Sequence, residues 1–279
     1  MKYFILLIIF FTTTATAQTT LNFDKRFVQS EDRWVAFTAN EDGSHPYGFI
    51  YIDPQAGLTL NYEGTFKILS SGQFVPTKLD STNMKVRLKA NNVLVAHIPE
   101  SKFEELKIAA VPDWLKYYKT DTNSVTRLYN WGYLYNGWGE CAKALTYLQR
   151  AEKIDANFKG LGVELAYSYN CLGQHDKAIE VLKDALKSDP TDAYTNKELI
   201  YAQMKSGNLD EASKSCKKAL SICTDKTYNG ENCYNLLRTF YEKEDKSNFN
   251  AWLSEAKKWN ANNKQLMNSI AAMEKEINK

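Results

Sequence analysis

Residues with obvious chemistry are scarce in this sequence. It has three histidines, His45, His97 and His175, which fall in a turn, a strand-like run and a helix start. No segment holds two of them, and no acidic pair flanks one at metal-ligand spacing, so no metal site is expected. There is no Gly-x-Ser-x-Gly elbow and no phosphate-binding loop. None of the five cysteines forms a Cys-x-x-Cys pair, which argues against a zinc site or a thioredoxin-like redox motif. The formal net charge is +2 and no basic stripe occurs, so nucleic acid is not an expected partner. Carboxylate pairs such as Glu104-Glu105 lie in polar stretches and read as solvated charge. The expectation is no cofactor and no catalytic residue.

Long apolar runs are also missing, except at the start. A short positive Met1-Lys2 precedes an apolar run over residues 3–11 and the small-x-small triplet Ala15-Thr16-Ala17. This is the pattern of a secretory signal peptide over residues 1–17, cut before Gln18. The run is too short for a stable bilayer anchor. No Cys follows it to carry a lipid, and no second long apolar segment appears. The mature chain is expected to be exported, periplasmic or extracellular, with no membrane insertion. All five cysteines lie in the second half, and in an exported chain they call for a disulfide reading.

Within a β-rich domain over residues 18–112, the hydrophobic pattern has period two from about Leu21 to Leu106. Leu58, Leu60, Tyr62, Phe66 and Ile68 alternate with Thr59, Asn61, Glu63, Thr65 and Lys67, as in a half-buried strand. Gly64 interrupts the apolar face and marks a bend or bulge. Met84, Val86 and Leu88 alternate with Lys85, Arg87 and Lys89; Asn91-Asn92 and a second run, residues 93–98, follow. Two runs around an Asn pair predict a hairpin, because Asn tolerates the left-handed turn conformation. Residues 33–37 and 47–52, separated by Gly43-Ser44-His45-Pro46, are two further strands. The expectation is a small antiparallel β domain of five to seven strands, as a sandwich or one curved sheet. The Lys85/Arg87/Lys89 face is either a solvated strand face or an anion site. Residues 113–123 form a connector with a short helix from Trp114 and a polar, cap-rich end.

Residues 124–279 repeat with a period of 34. Ala144, Ala178 and Ala212 share one register; so do Ala151, Ala185 and Ala219, and so do Leu148, Leu182 and Cys216. Gly139, Gly173 and Gly207 stand at the turn inside each unit. The units are about 125–158, 159–192 and 193–226. A slipped fourth unit covers about 231–260, and a polar capping helix follows. At this period and spacing the chain resembles the tetratricopeptide repeat family over about half its length. Leu128, Trp131, Gly132, Tyr135, Ala144, Leu148 and Ala151 fall at the family's signature positions in the first unit. In the second unit these are Leu165, Ala166, Tyr169, Ala178, Leu182, Ala185 and Pro190. The fold class is thus α+β, a small antiparallel β domain followed by a helical solenoid.

The register has two consequences. It makes the helices starting at Cys141 and ending at Cys171 antiparallel neighbours, and it separates Cys223 from Cys233 by one loop. Disulfides Cys141–Cys171 and Cys223–Cys233 are expected, with Cys216 a free core residue. The resemblance also implies a concave groove for a partner, lined by Tyr129, Tyr133 and Asn136 in the first unit. In the second unit the lining residues are Val163, Tyr167 and Asn170, and in the third Tyr194, Lys197, Tyr201 and Met204. Tyr133, Tyr167 and Tyr201 recur every 34 residues and are expected to form a ladder or to pack between adjacent first helices. Tyr129 and Tyr133 stand where the family's carboxylate-gripping subtype needs Lys and Asn, so that subtype is not expected.

The leading expectation is an exported, non-catalytic scaffold that binds a protein or peptide. Two alternatives remain at this level. One is a hydrolase with its site in the β domain or at the domain junction. The other is a glycan- or ligand-binding module using Trp34, Tyr47 and Tyr51.

Overall fold

The computed structural model describes residues 21–79 and 84–279, so the expected signal peptide at residues 1–17 lies outside the described residues. The chain divides into two compact units, Met1–Tyr118 and Lys119–Lys279.

Among its described residues the first unit contains one antiparallel sheet. Its strands are β1 (Lys25–Arg26), β2 (Arg33–Ala36), β3 (His45–Asp53), β4 (Gly57–Ile68), β5 (Phe74–Lys78), β6 (Met84–Arg87) and β7 (Leu94–His97). The order is β1-β7-β2-β3-β4-β5, and β5 and β6 share the outer edge of β4. One face of the sheet carries an aromatic core of Trp34, Tyr47, Phe49, Tyr51, Phe66 and Phe74. Ile98, Leu106 of α1 (Phe103–Leu106), and Trp114 and Leu115 pack against it. Trp114 and Leu115 lie in a 3-10 turn, Asp113–Tyr118, that belongs to this unit. Trp114 meets Phe49 and Tyr51 edge-on, with centroids 5.8 and 5.0 Å away.

Two strand readings need correction. Tyr47 pairs with Gly64 but Gly48 pairs with Tyr62, so Glu63 is an extra residue on β4. One extra residue reverses which face every later side chain takes. Phe66 therefore shares the aromatic face with Asn61 and Thr59, not with Leu58 and Leu60. This is why Thr59 and Asn61, expected to face solvent, are buried. Gly64 sits at this bulge with φ +148°, and a Cβ there would clash with the Thr77 carbonyl oxygen. The second correction is the hairpin at Asn91-Asn92. Neither Asn takes a positive φ. β6 pairs with β4 while β7 pairs with β2 and β1, so the Asn pair joins two strands that are not neighbours.

The second unit is, among the described residues, a run of nine helices. They are α2 (Val125–Gly137), α3 (Cys141–Ile154), α4 (Leu161–Cys171), α5 (His175–Ser188), α6 (Ala193–Lys205), α7 (Leu209–Ile222), α8 (Asn229–Glu242), α9 (Lys246–Trp259) and α10 (Lys264–Ile277). Successive helices pack as neighbours, with additional contacts between α2 and α4, α4 and α6, and α6 and α8. Ala144, Ala178 and Ala212 are fully buried where paired helices approach. At Gly132 the approach is closer still, since a Cβ would clash with the Leu148 side chain.

The turn inside each pair is the same Schellman motif four times. The backbone N–H groups of Glu140, Gln174, Asn208 and Asp245 donate to the carbonyls of Tyr135, Tyr169, Gln203 and Phe240, at 2.8–2.9 Å. The left-handed residue is Gly139 (φ +74°), Gly173 (+72°), Gly207 (+85°) and then Glu244 (+57°). Glu244 follows Gly207 by 37 residues, so the slip before the fourth unit is an insertion of three. α10 packs on α8 and α9 and closes the array. Ser124, Asp192, Asp245 and Asn263 cap the helices that follow them through their side chains.

Cys141 and Cys171 form a disulfide with Cα atoms 6.2 Å apart, joining the start of α3 to the end of α4. The expected Cys223–Cys233 bond is absent, and Cys216, Cys223 and Cys233 are buried free thiols. Cys223 Sγ accepts from Asn196 Nδ2 at 3.6 Å. Cys233 faces Cys216 instead, and each thiol of that pair sits in the apolar core between α7, α8 and α9.

Candidate functional site

The first helix of each unit carries a polar framework that also follows the 34-residue register. Asn136 at the end of α2 donates from Nδ2 to the Glu164 carbonyl (3.0 Å) and to Glu164 Oε2 (2.9 Å) on α4. One unit on, Asn170 donates to the Glu198 carbonyl (3.4 Å) and to Glu198 Oε2 (3.0 Å) on α6. Ser168 Oγ completes the first copy by donating to Asn136 Oδ1 at 2.7 Å. These side chains are buried, so each Asn–Glu bond locks two adjacent first helices together in a setting where an unpaired polar group is costly.

Aromatic rings flank this framework. Tyr129 is half-buried, with its ring 5.1 Å from Phe158 and 6.4 Å from Tyr133. Its hydroxyl lies over Gly160, the left-handed residue before α4, where a Cβ would come within 2.7 Å of it. Tyr194 packs against Tyr228, centroids 5.7 Å apart. Lys197 lies over both rings at 5.5 and 6.0 Å, and its ammonium pairs with Glu198 (2.9 Å) and Glu231 (3.7 Å).

The electrostatics follow from burial and crowding of like charge. Burial raises the Glu164 carboxyl above its ordinary range; the Asn136 hydrogen bond opposes this and the charge of Glu198 adds to it. Burial also raises the phenols of Tyr129 and Tyr194, and Glu164 contributes at both. Glu198 acts on Tyr194 as well. For Lys197 burial works against the charge, but the hydrogen bond and charge of Glu198, with Glu231, hold the ammonium on.

The residues expected to line a groove separate into two groups. Tyr133 is 60% exposed, while Tyr129, Tyr167, Tyr194, Lys197 and Tyr201 are half-buried along the same first helices. Asn136 and Asn170 are buried framework residues, Met204 is 9% exposed in the core of the last units, and Val163 packs on the cluster around Ala166 and Leu182. Tyr133, Tyr167 and Tyr201 do not stack on one another; Tyr201 instead meets His175, centroids 6.3 Å apart. Glu164, Glu198 and Glu231 were missed in the sequence. Two of them, Glu164 and Glu198, were marked there by the 34-residue interval they share with Asn136 and Asn170.

The three histidines stay apart. His45 Nδ1 contacts the Phe37 carbonyl, His97 Nε2 contacts Ser30 Oγ, and His175 Nδ1 contacts Asn170 Oδ1. Lys85 donates to Tyr118 Oη at 2.6 Å, which takes it off an open strand face. Trp34, Tyr47 and Tyr51 are 5%, 0% and 0% exposed, so they are core residues and not an aromatic platform. Among the described residues no helix is long and apolar enough to cross a membrane.

The tetratricopeptide repeat family model matches residues 172–222, the stretch from the end of α4 through α7. No curated protein matches the chain. Solved structures that resemble it include a MamA protein at 18% identity, covering 53% of this chain and 80% of that one with a TM-score of 0.45. Others are TTC0263, a thermophilic TPR protein of Thermus thermophilus (19% identity, 57% and 84% coverage, TM-score 0.44), and MamA residues 41–end from Desulfovibrio magneticus RS-1 (18%, 59% and 87%, TM-score 0.46). The family model marks residues 172–222 as tetratricopeptide repeat, and that stretch lies within a run of four helix pairs that share a common turn, after a β-rich N-terminal unit.

Proposed function

We propose that the chain is an exported, non-catalytic scaffold that binds a protein or peptide along the first helices of its repeats. The observation that supports this most is a row of half-buried and exposed tyrosines standing on a rigid, buried Asn–Glu framework. Tyr offers broad contact area with a polar tip and few rotatable bonds, which suits a binding surface. A fixed backbone beneath it lowers the ordering cost of association. The Cys141–Cys171 disulfide fits an oxidising compartment, and with it the export reading.

The test is affinity capture with the mature protein, comparing wild type with Tyr133→Ala/Tyr167→Ala/Tyr201→Ala. Loss of captured partners by a variant with an unchanged circular dichroism spectrum and melting temperature is the expected result. A folded triple variant that retains every partner refutes the groove.

A further inference from the structure

Two consecutive repeats carry the same buried carboxylate in different company. In the third unit Glu198 has an internal cation. Lys197, the residue before it, places its ammonium 2.9 Å from Glu198 Oε1 and lies over the rings of Tyr194 and Tyr228. In the second unit the residue before Glu164 is Val163, so the equivalent ammonium is absent. Glu164 is 5% exposed. Its Oε2 accepts from Asn136, while Oε1 accepts no hydrogen bond and no Lys or Arg pairs with the carboxylate among the described residues. A buried carboxylate without a cation is unfavourable and is ordinarily paired.

In the second unit Tyr194 holds the place of Tyr228 and Gly160 the place of Tyr194, and the Tyr129 ring lies over Gly160. Aromatic faces beside a carboxylate are the setting in which a Lys or Arg head gains both cation–π and ionic attraction. Lys197 pairs with Glu198 and Glu231, and neither contact involves Glu164.

We infer that the groove accepts a lysine or arginine side chain from an extended peptide, its cation resting on Glu164 between Tyr129 and Tyr194 as Lys197 rests on Glu198. This rests on the groove reading above and names the chemistry of its partner.

The test is selection of a random decapeptide display library on the mature protein. Enriched peptides are then measured against wild type, Glu164→Gln, Val163→Lys and the triple Tyr→Ala variant. Val163→Lys supplies the missing cation from within, and Glu164→Gln removes the charge while keeping an acceptor for Asn136. Melting curves establish that each variant is folded. The expected result is enrichment of peptides with a Lys or Arg. Their affinity should fall about tenfold or more with either single variant, or when that Lys or Arg is changed to Gln. Peptides that need the three tyrosines but bind Val163→Lys and Glu164→Gln as wild type does, or that are enriched in acidic residues, overturn the cation inference and leave the groove standing. An absence of tyrosine-dependent peptides overturns both.

Discussion

At the scale of single residues, burial sets the Glu164 carboxylate against the stability of the fold. Its folded pKa is raised, chiefly by burial, so folding favours the protonated form. Whatever this contributes is fully present below the unfolded carboxyl value of ~4.3 and is lost as pH rises through the folded value. Wild type therefore carries a penalty at neutral pH that Glu164→Gln does not. Thermal melts should place the variant above wild type at pH 7. The two should coincide at pH 3.5, and equal melting temperatures at both pH values would refute the assignment. Glu164 was legible only in part. Its 34-residue echo at Glu198 lies in the sequence, but its burial depends on Asn136 reaching across from the preceding first helix, a contact no single helix pattern encodes.

At the scale of elements, the four turns offer a comparison within one molecule. Gly139, Gly173 and Gly207 take a left-handed φ without a Cβ, whereas Glu244 takes it with one. Glu244→Gly should stabilise the fourth pair by about 0.5–1 kcal/mol, and Gly173→Ala should destabilise the second by about 1–2 kcal/mol. Urea titrations check both signs. What could be read from the sequence divides along the same lines. Helix pairs were legible because a 34-residue period fixes which residues meet, and that register brought Cys141 to Cys171. It failed for Cys233 because the inserted residues shift α8, so that Cys233 meets Cys216 instead. In the sheet, alternation located β4 but lost its phase at Glu63, since a bulge is set by pairing with β3 and not by local composition. The Asn pair misled for a similar reason, because strand partners are a long-range outcome.

At the scale of the whole array, stability is expected to be a sum of neighbour contacts. α10 supplies Ile270 and Met273 to the core formed with Phe240, Phe249 and Trp252, and Glu274 to an ion pair with Lys257 at 2.7 Å. Removing residues 264–279 should expose that core and lower the melting temperature. Size-exclusion chromatography should show association at micromolar concentration, and a monomer that melts like the full chain would argue against a capping role. The disulfide sits near the other end, between α3 and α4. Its reduction therefore gives the array a built-in ruler for how far a local disturbance travels. Deuterium uptake should quicken in α3 and α4, less in α5, and not at all in α8–α10. A uniform rise would mean that the stack opens as one body, and a graded one would give the length over which neighbouring repeats communicate.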